Sequence, residues 1–168
     1  SYRDPAKELE YVALLHGHRT AAIVLAGSGY HDVEATRAIA NRLRTYERDG
    51  GRVSVIGRHS QLPGDAVLPA NDAGGYLVGQ ELYGLGHHRI GVIAGPRGLT
   101  TTTDRLTGLR RASREHGHAI PPRRIAYADF DRDSGAAAAA ALLDANPDLT
   151  ALAVFNDTMA IGVLAVAR

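Results

Sequence analysis

The residues with the clearest capacity for chemistry follow the most apolar segment of the chain. Ile90–Ala94 is a continuous apolar run, and after Gly95 come the threonines Thr100–Thr103, then Asp104 and Arg105. Such a run predicts a strand covered on both faces, and the polar residues after it predict the start of a helix. Hydroxyls and an arginine at a helix N-terminus can bind an uncharged polyol or an anion. The same residues can equally form a simple helix cap beside a solvent-exposed arginine.

Other patterns that carry chemistry in proteins are incomplete in this chain. Residues 27–29 (Gly-Ser-Gly) open like a dinucleotide-binding loop, but Asp32 occupies the place of the third glycine. Two His-Gly-His segments, at residues 16–18 and 116–118, lie at predicted helix ends, where histidine interacts favourably with the helix dipole. No carboxylate cluster joins them to complete a metal site, and the sequence has no cysteine. We therefore predict no cofactor, no metal and no enzymatic activity.

The composition limits the size of the fold and the range of partners. With 168 residues, of which 45% are hydrophobic, the chain can bury one domain or two small lobes. The formal net charge of +1 gives no strong field, so we expect no direct nucleic-acid or membrane binding by these residues. No apolar run approaches the roughly 20 residues that span a bilayer.

Strands and helices are predicted to alternate along the whole chain. The apolar runs that predict buried strands lie at residues 21–26, 53–56, 90–94, 125–127 and 151–155. Amphipathic or capped segments between and around them predict helices near residues 4–16, 32–46, 71–85, 103–116, 133–146 and from 157 onwards, and residues 60–70 are predicted to be a polar connection. This order predicts an α/β fold with parallel strands, right-handed crossovers and helices on both faces.

Ligands of such sheets bind beyond the carboxyl ends of the strands. The loops predicted to form a site are Gly27–Tyr30, Gly57–His59, Gly95–Asp104, Ala128–Asp131 and Asn156–Asp157.

Two helix starts are predicted from their polar residues. Asn71 or Asp72 should cap the third helix, and Asp133 or Ser134 should cap the alanine-rich helix. In the third helix, leucines 77, 82 and 85 recur at helical spacing, with small glycines between them that allow close backbone approach.

Four motifs in fixed order carry a resemblance to a known family. They are Asn71-x-x-Gly74-Gly75, Leu82-x-x-x-Gly86-His87-x-Arg89-Ile90, Arg105-Leu106-x-Gly108-Leu109 and Asn156-Asp157-x-Met159-Ala160-Ile161-Gly162. Together with their spacing across nearly the whole chain, they resemble the effector-binding core of the lactose-repressor (LacI/GalR) family.

The resemblance implies a periplasmic-binding-protein-like (type I) fold with parallel sheets, two lobes and an effector between them. Residues 1–69 would form part of the N-terminal lobe and residues 70–168 part of the C-terminal lobe, with the hinge at Ala70 and Asn71. The family's DNA-reading helix-turn-helix, the first strand and helix of its core, and its closing segments have no counterpart here. The chain is therefore expected to be partial.

The resemblance also implies roles for individual residues. Arg105 corresponds to the arginine that grips effector hydroxyls, Thr101 to a hydroxyl position near the effector, and Asn156 and Asp157 to a polar pair at a strand end. Arg58 and Ser28, on loops that follow two strands of the first lobe, are further candidates for effector binding. Ile161 and Leu164 are expected on a dimer face, although ordinary core packing would explain their apolar character equally well.

The sequence thus predicts the effector-sensing and dimerisation region of a cytoplasmic bacterial transcriptional regulator. Its expected partners are a small-molecule effector, most simply a sugar, a second copy of the chain, and operator DNA bound through a helix-turn-helix that this chain lacks. Residues 56–58 read Ile-Gly-Arg where the family often has Ile-Asp-Arg, which leaves the identity of the effector open. One alternative is a periplasmic sugar-binding protein of a transporter with the same fold. Another is an α/β enzyme, which would need a convergent catalytic set that is not evident.

Overall fold

The computed structural model describes residues 4–29 and 31–167 and divides into two compact units. Unit 1 contains the residues up to Pro69 together with Gly98–Thr101, and unit 2 contains Ala70–Arg97 and the residues from Thr102 onwards. The sequence assigned all of residues 70–168 to one lobe, whereas contacts group Gly98–Thr101 with unit 1. Tyr30, the last residue of one predicted site loop, lies outside the described residues.

Unit 1 is a three-stranded parallel sheet with two helices. Its elements are α1 (Pro5–Gly17), β1 (Ala22–Ala26), α2 (Val33–Arg48), β2 (Arg52–Ile56) and β3 (Asp65–Val67), with strand order β1-β2-β3. The core is formed by the buried residues Val12, Ile23, Ile39, Leu43, Tyr46, Val53 and Val55.

Two predictions for unit 1 are wrong. The segment expected to be a polar connection contains the short edge strand β3, which three residues between prolines and glycines are too few to reveal by periodicity. β1 was expected to be buried, but only Ile23 among its five residues is. A strand with one neighbour and one covered face buries alternate side chains, which accounts for this pattern.

Unit 2 has a second three-stranded parallel sheet between helices. In chain order its elements are α3 (Asn71–Gly84), β4 (Ile90–Ala94), α4 (Thr100–Glu115, which belongs to unit 2 from Thr102 onwards), a 3-10 turn (Pro122–Arg124), β5 (Ile125–Tyr127), α5 (Arg132–Ala145), β6 (Ala151–Val154) and α6 (Asp157–Val166). The strand order is β5-β4-β6, so β4 is central and all five of its residues are buried, as its apolar run predicts. α4 begins three residues earlier than expected, so Thr100 and Thr101 form its first turn. None of the described helices is both long and apolar enough to cross a membrane.

The packing face of α3 is made of glycine rather than leucine. Gly75, Gly79 and Tyr83 are its buried residues, whereas Leu77 and Leu85 are 65% and 67% exposed. A Cβ atom on Gly75 would lie 2.0 Å from the backbone oxygen of Arg105 in α4. The absence of side chains therefore lets the two helix backbones touch, which the leucine spacing did not predict.

Both predicted polar caps are wrong, for different reasons. The residue before α3 is Ala70, which makes no side-chain cap, and the Asn71 amide oxygen instead accepts a hydrogen bond from Arg105. At α5 the cap is Asp131, whose carboxylate accepts from the Ser134 N–H at 2.8 Å, so the helix begins at Arg132, before the predicted caps.

The Asp131 cap can be tested against the neighbouring acid of the same helix. We expect Asp131→Ala to lower the free energy of unfolding by about 1 kcal/mol, because it removes the acceptor for a free helix N–H. Asp133→Ala, in the same first turn, should cost only a few tenths of a kcal/mol through the helix dipole. Urea unfolding of the two variants measures the difference, and an equal loss in both would show that Asp131 is not the cap.

Candidate functional site

Arg105 is held by two hydrogen bonds at the carboxyl ends of the unit 2 strands. It lies in the second turn of α4 and is half-buried. Its Nε donates to the amide oxygen of Asn71 at 2.9 Å, and its Nη1 donates to the backbone carbonyl of Phe155, the residue that follows β6. The guanidinium is thereby held in one orientation by α3 on one side and by the end of β6 on the other.

Two opposing effects act on the charge of this guanidinium. Burial lowers the pKa of Arg105 from its usual value, and the negative charge of Asp157 raises that pKa in part. The usual pKa of an arginine side chain is so far above neutral that Arg105 stays protonated at neutral pH despite this lowering. Arg105 therefore offers charged N–H donors in a partly desolvated place, where hydrogen bonds to a ligand are strong.

Asn156 and Asp157 begin α6 and have unequal roles. The Asn156 side-chain oxygen accepts from the Met159 N–H at 2.8 Å, and its amide nitrogen donates to the Phe130 carbonyl at 3.0 Å. Its amide is thus used as a helix cap and as an anchor for the loop before α5. Asp157 is exposed, and its charge acts on Arg105. Of the predicted pair, Asp157 has the more accessible side chain.

A cavity of about 320 Å³ opens beside Arg105 within unit 2. It is lined by apolar and backbone groups of α3, α4 and β6 as well as by the arginine, and the residues that matter here are Asn71, Gly75, Val78, Leu109 and Phe155. A few polar groups in a mainly apolar cavity are typical of small-molecule sites.

In unit 1, hydroxyl groups gather where β1 and β2 end. The Ser28 hydroxyl donates to the Thr101 hydroxyl at 2.6 Å, which brings together two of the residues predicted for effector binding. The buried Thr100 hydroxyl accepts from the Gly29 N–H at 3.0 Å and donates to the Arg58 carbonyl at 2.8 Å. Thr100 therefore connects the loop after β1 to the loop after β2, and the Arg58 side chain itself is exposed.

Close backbone contact explains the glycines of these loops. A Cβ atom on Gly29 would lie 2.3 Å from the Arg58 carbonyl oxygen, and one on Gly57 would lie 1.8 Å from the Gly27 oxygen. Gly57 also has a φ of +121°, which side chains rarely allow. Only glycine lets the loops approach closely enough for Thr100 to bridge them.

Two threonines of the same run, both buried, provide a matched test of this bridge. Thr100→Val should destabilise unit 1 by about 1–3 kcal/mol, because it leaves the Gly29 N–H and the Arg58 carbonyl without their partner. The buried Thr102 hydroxyl has no hydrogen-bond partner in the described part of the chain, so Thr102→Val should be neutral or stabilising. Thermal unfolding of both variants measures the contrast, and the bridge is refuted if the two shift the midpoint alike.

The remaining predicted residues occupy distinct places. Ala70 immediately precedes α3, at the point where the chain passes from unit 1 to unit 2. Ile161 and Leu164 lie on α6 and are 58% and 64% exposed in this chain. Their apolar side chains are therefore available at the surface of α6 rather than packed in the core of unit 2.

The histidine pairs are placed among aromatic and polar neighbours. His16 lies 2.8 Å from the Asp49 carboxylate, and the Tyr83 ring stacks with His116 and His118 at centroid distances of 5.0 and 5.5 Å. Within residues 4–29 and 31–167, no group of three or more His, Asp or Glu side chains is arranged to hold a metal ion.

The two parallel sheets with polar residues at their carboxyl ends agree with the type I periplasmic-binding-protein-like fold, and the structural likenesses given below show that the chain belongs to this class. Residues 2–168 match the family of periplasmic binding proteins and sugar-binding domains of the LacI family, and the chain belongs to that family. It is 29% identical over 167 residues to the transcriptional repressor PurR of Klebsiella pneumoniae (strain 342), covering 99% of this chain and 48% of PurR. The chain thus spans about half the length of this curated relative.

Two solved structures resemble the chain at the same TM-score of 0.81. One is the transcriptional regulator CelR in complex with cellobiose, at 29% identity, covering 99% of this chain and 49% of CelR. The other is a periplasmic solute-binding protein of an ABC transporter from Actinobacillus succinogenes 130z with bound D-allose, at 18% identity, covering 97% and 59% of the two chains. The second likeness concerns the fold alone.

Proposed function

We propose that this chain is the effector-sensing and dimerisation region of a LacI-type transcriptional regulator. The observation that carries the proposal is Arg105, a charged hydrogen-bond donor fixed by Asn71 and Phe155 beside a 320 Å³ cavity at the strand ends. The relatives PurR and CelR are described as transcriptional regulators, which supports the regulatory part. Cytoplasmic location and operator binding through a helix-turn-helix outside this chain belong to the same proposal.

The proposed effector is a sugar or a similar polyol. Sugar hydroxyls both donate and accept hydrogen bonds, and the candidate residues supply both kinds of partner. Arg105 donates, Asp157 accepts, and the Thr101 hydroxyl can do either. The Ser28 hydroxyl, which donates its proton to Thr101, can accept. The Arg58 side chain and the free N–H of the Asn156 amide are further proposed contacts. The CelR structure is a complex with cellobiose, which makes a sugar the first ligand to test.

Regulation would follow from a shift between two conformations. An effector that binds one of the two conformations more tightly raises the population of that conformation, to an extent set by the ratio of its two affinities. Because the two conformations differ in their affinity for DNA, effector binding changes the DNA affinity as well. We propose Ala70 and Asn71 as hinge residues, with lobes that follow the predicted division at residues 69 and 70, and Ile161 and Leu164 as part of the dimer interface. The chain would sense its ligand without converting it.

A periplasmic sugar-binding protein of a transporter is the second candidate, because the family that the chain matches also contains periplasmic binding proteins. The D-allose-binding protein shares the fold of the chain. Its identity of 18% is lower than the 29% shared with the CelR structure. Both candidates predict sugar binding, so only DNA binding separates them.

A thermal-shift screen tests the binding step common to both candidates. The panel contains cellobiose, D-allose, other mono- and disaccharides, and nucleosides. A ligand present at 100 times its dissociation constant stabilises by about 2.7 kcal/mol, which corresponds to a rise in Tm of about 5–10 °C. If no compound in a broad panel raises the Tm, effector binding by these residues is unsupported.

A further inference from the structure

The sheet of unit 1 is covered by helices on one face only. Ile23, Val53 and Val55 pack in one cluster with residues of α1 and α2 and are at most 5% exposed. Because successive side chains of a strand alternate between the two faces, the residues between them point to the other side of the sheet. We call that side the open face, and its apolar members are Ala22, Val24, Ala26, Ile56 and Val67.

The apolar part of the open face continues across all three strands. Ala26 of β1, Ile56 of β2 and Val67 of β3 are partners in the parallel register, so they form one row. Val24, Ile56 and Val67 are 60%, 41% and 66% exposed. Parallel sheets occur almost only with both faces covered. The row is therefore an interaction surface rather than a face made for water.

The edge of β1 is open as well. In the part of the chain that the structure describes, β1 pairs with β2 alone, so one side of its backbone has no neighbouring strand there. A groove of about 260 Å³ runs along β1 and is lined by Ile23, Val24 and Leu25 together with Tyr11 and Leu15 of α1. An open strand edge is a template for pairing with a further strand.

The handedness of strand connections indicates what can cover the open face. The strand order β1-β2-β3 follows the chain in one direction, and α2 connects β1 to β2. Right-handed crossovers that run in this direction all lie on the α2 side of the sheet. A crossover helix on the open face must therefore run in the opposite direction, from a strand paired with β1 to a strand further out. One strand–helix unit would thus fill both the open edge and the open face.

We propose that the edge of β1 pairs with a parallel strand and that the open face binds an amphipathic helix, both from the same polypeptide outside residues 1–168. A relative has enough residues for this, because 99% of this chain matches PurR but covers only 48% of it. A second copy of the chain fits less well, because parallel sheets are covered by helices rather than by another sheet. The proposal applies equally to a regulator and to a transport protein, so it does not depend on the function proposed above.

Cysteine reactivity in the full-length protein tests this proposal, because residues 1–168 contain no cysteine. Val24→Cys and Ile56→Cys would be made singly, with any cysteine elsewhere in the polypeptide changed to serine. Mass spectrometry would follow their reaction with N-ethylmaleimide in the absence of sugar. We expect both thiols to react about 100-fold more slowly than an open thiol, because a covered thiol reacts only during local opening. Val67→Cys provides a third position on the same face if one variant does not fold.

Arg37→Cys is the matched control, because Arg37 is an exposed residue of α2, on the other side of the sheet. Its thiol should react at the rate of an open thiol. Equal rates at Val24→Cys and Arg37→Cys in folded proteins would overturn the proposal. Protection that disappears on roughly 100-fold dilution would also overturn it, because a concentration dependence indicates a second copy. Protection that persists on dilution would support a cover from the same polypeptide.

Discussion

Arg105→Ala should weaken binding of the sugar identified by the thermal-shift screen by about 100-fold. A hydrogen bond to a charged donor contributes about 1.5–3 kcal/mol, and the fixed guanidinium can direct more than one donor at the ligand. The variant also leaves the Phe155 carbonyl and the Asn71 amide without a partner, which should cost about 1–3 kcal/mol of stability. Calorimetry below the unfolding transition measures the affinity separately from this loss.

Two further variants separate a direct contact from a general effect. Arg114→Ala removes an exposed arginine from the last turn of the same helix and should change the affinity less than twofold. Arg105→Lys keeps the charge but loses the planar fork, so it should recover only part of the affinity. Full sugar affinity in a folded Arg105→Ala protein would show that Arg105 does not bind the effector.

Gly75→Ala should be among the most destabilising single substitutions in unit 2. Its new Cβ atom would lie 2.0 Å from the Arg105 backbone oxygen, so α3 and α4 must separate. Overpacking of this kind costs about 1–3 kcal/mol, and contact with backbone places Gly75 at the upper end. A loss of about 3 kcal/mol would lower Tm by about 6–12 °C. Because the contact is with Arg105 itself, sugar affinity should also fall.

We expect Gly74→Ala, at the neighbouring position, to stabilise the protein, in contrast to Gly75→Ala. A Cβ atom on Gly74 would meet nothing within 4 Å, and the position lies inside a helix. Alanine there should raise stability by about 0.4–1 kcal/mol by reducing the freedom of the unfolded chain. Thermal unfolding of the two variants side by side checks the account, and Gly75→Ala with an unchanged Tm would show that α3 and α4 are not in backbone contact.

Predictions from the sequence succeeded where a periodic pattern was long or complete. The alternation of strands and helices and the buried central strand Ile90–Ala94 are both present in the structure. β3 was missed because three residues are too few for a period. The α3 packing face was missed because close contact through glycine leaves no apolar side chain to detect.

The candidate site was predictable in its location but not in its connections. Ser28 and Thr101 were placed at strand ends by the rule for parallel sheets, and their hydroxyls lie 2.6 Å apart. The Thr100 bridge and the Phe155 carbonyl were not predicted. The Phe155 contact was not predictable because every residue has a backbone carbonyl, so the residue type does not reveal which carbonyl accepts a hydrogen bond. The Thr100 bridge was not predictable because a run of four threonines does not show which hydroxyl is buried.

The most direct test of the regulatory proposal joins ligand binding to DNA binding. Fluorescence anisotropy would measure the affinity of the full-length protein for DNA upstream of its own gene, with and without the sugar from the screen. We predict that saturating sugar changes the DNA affinity by about 5- to 150-fold, the usual range of allosteric coupling. Sugar binding with no specific DNA binding, or with an unchanged DNA affinity, would contradict the account and favour a transport protein.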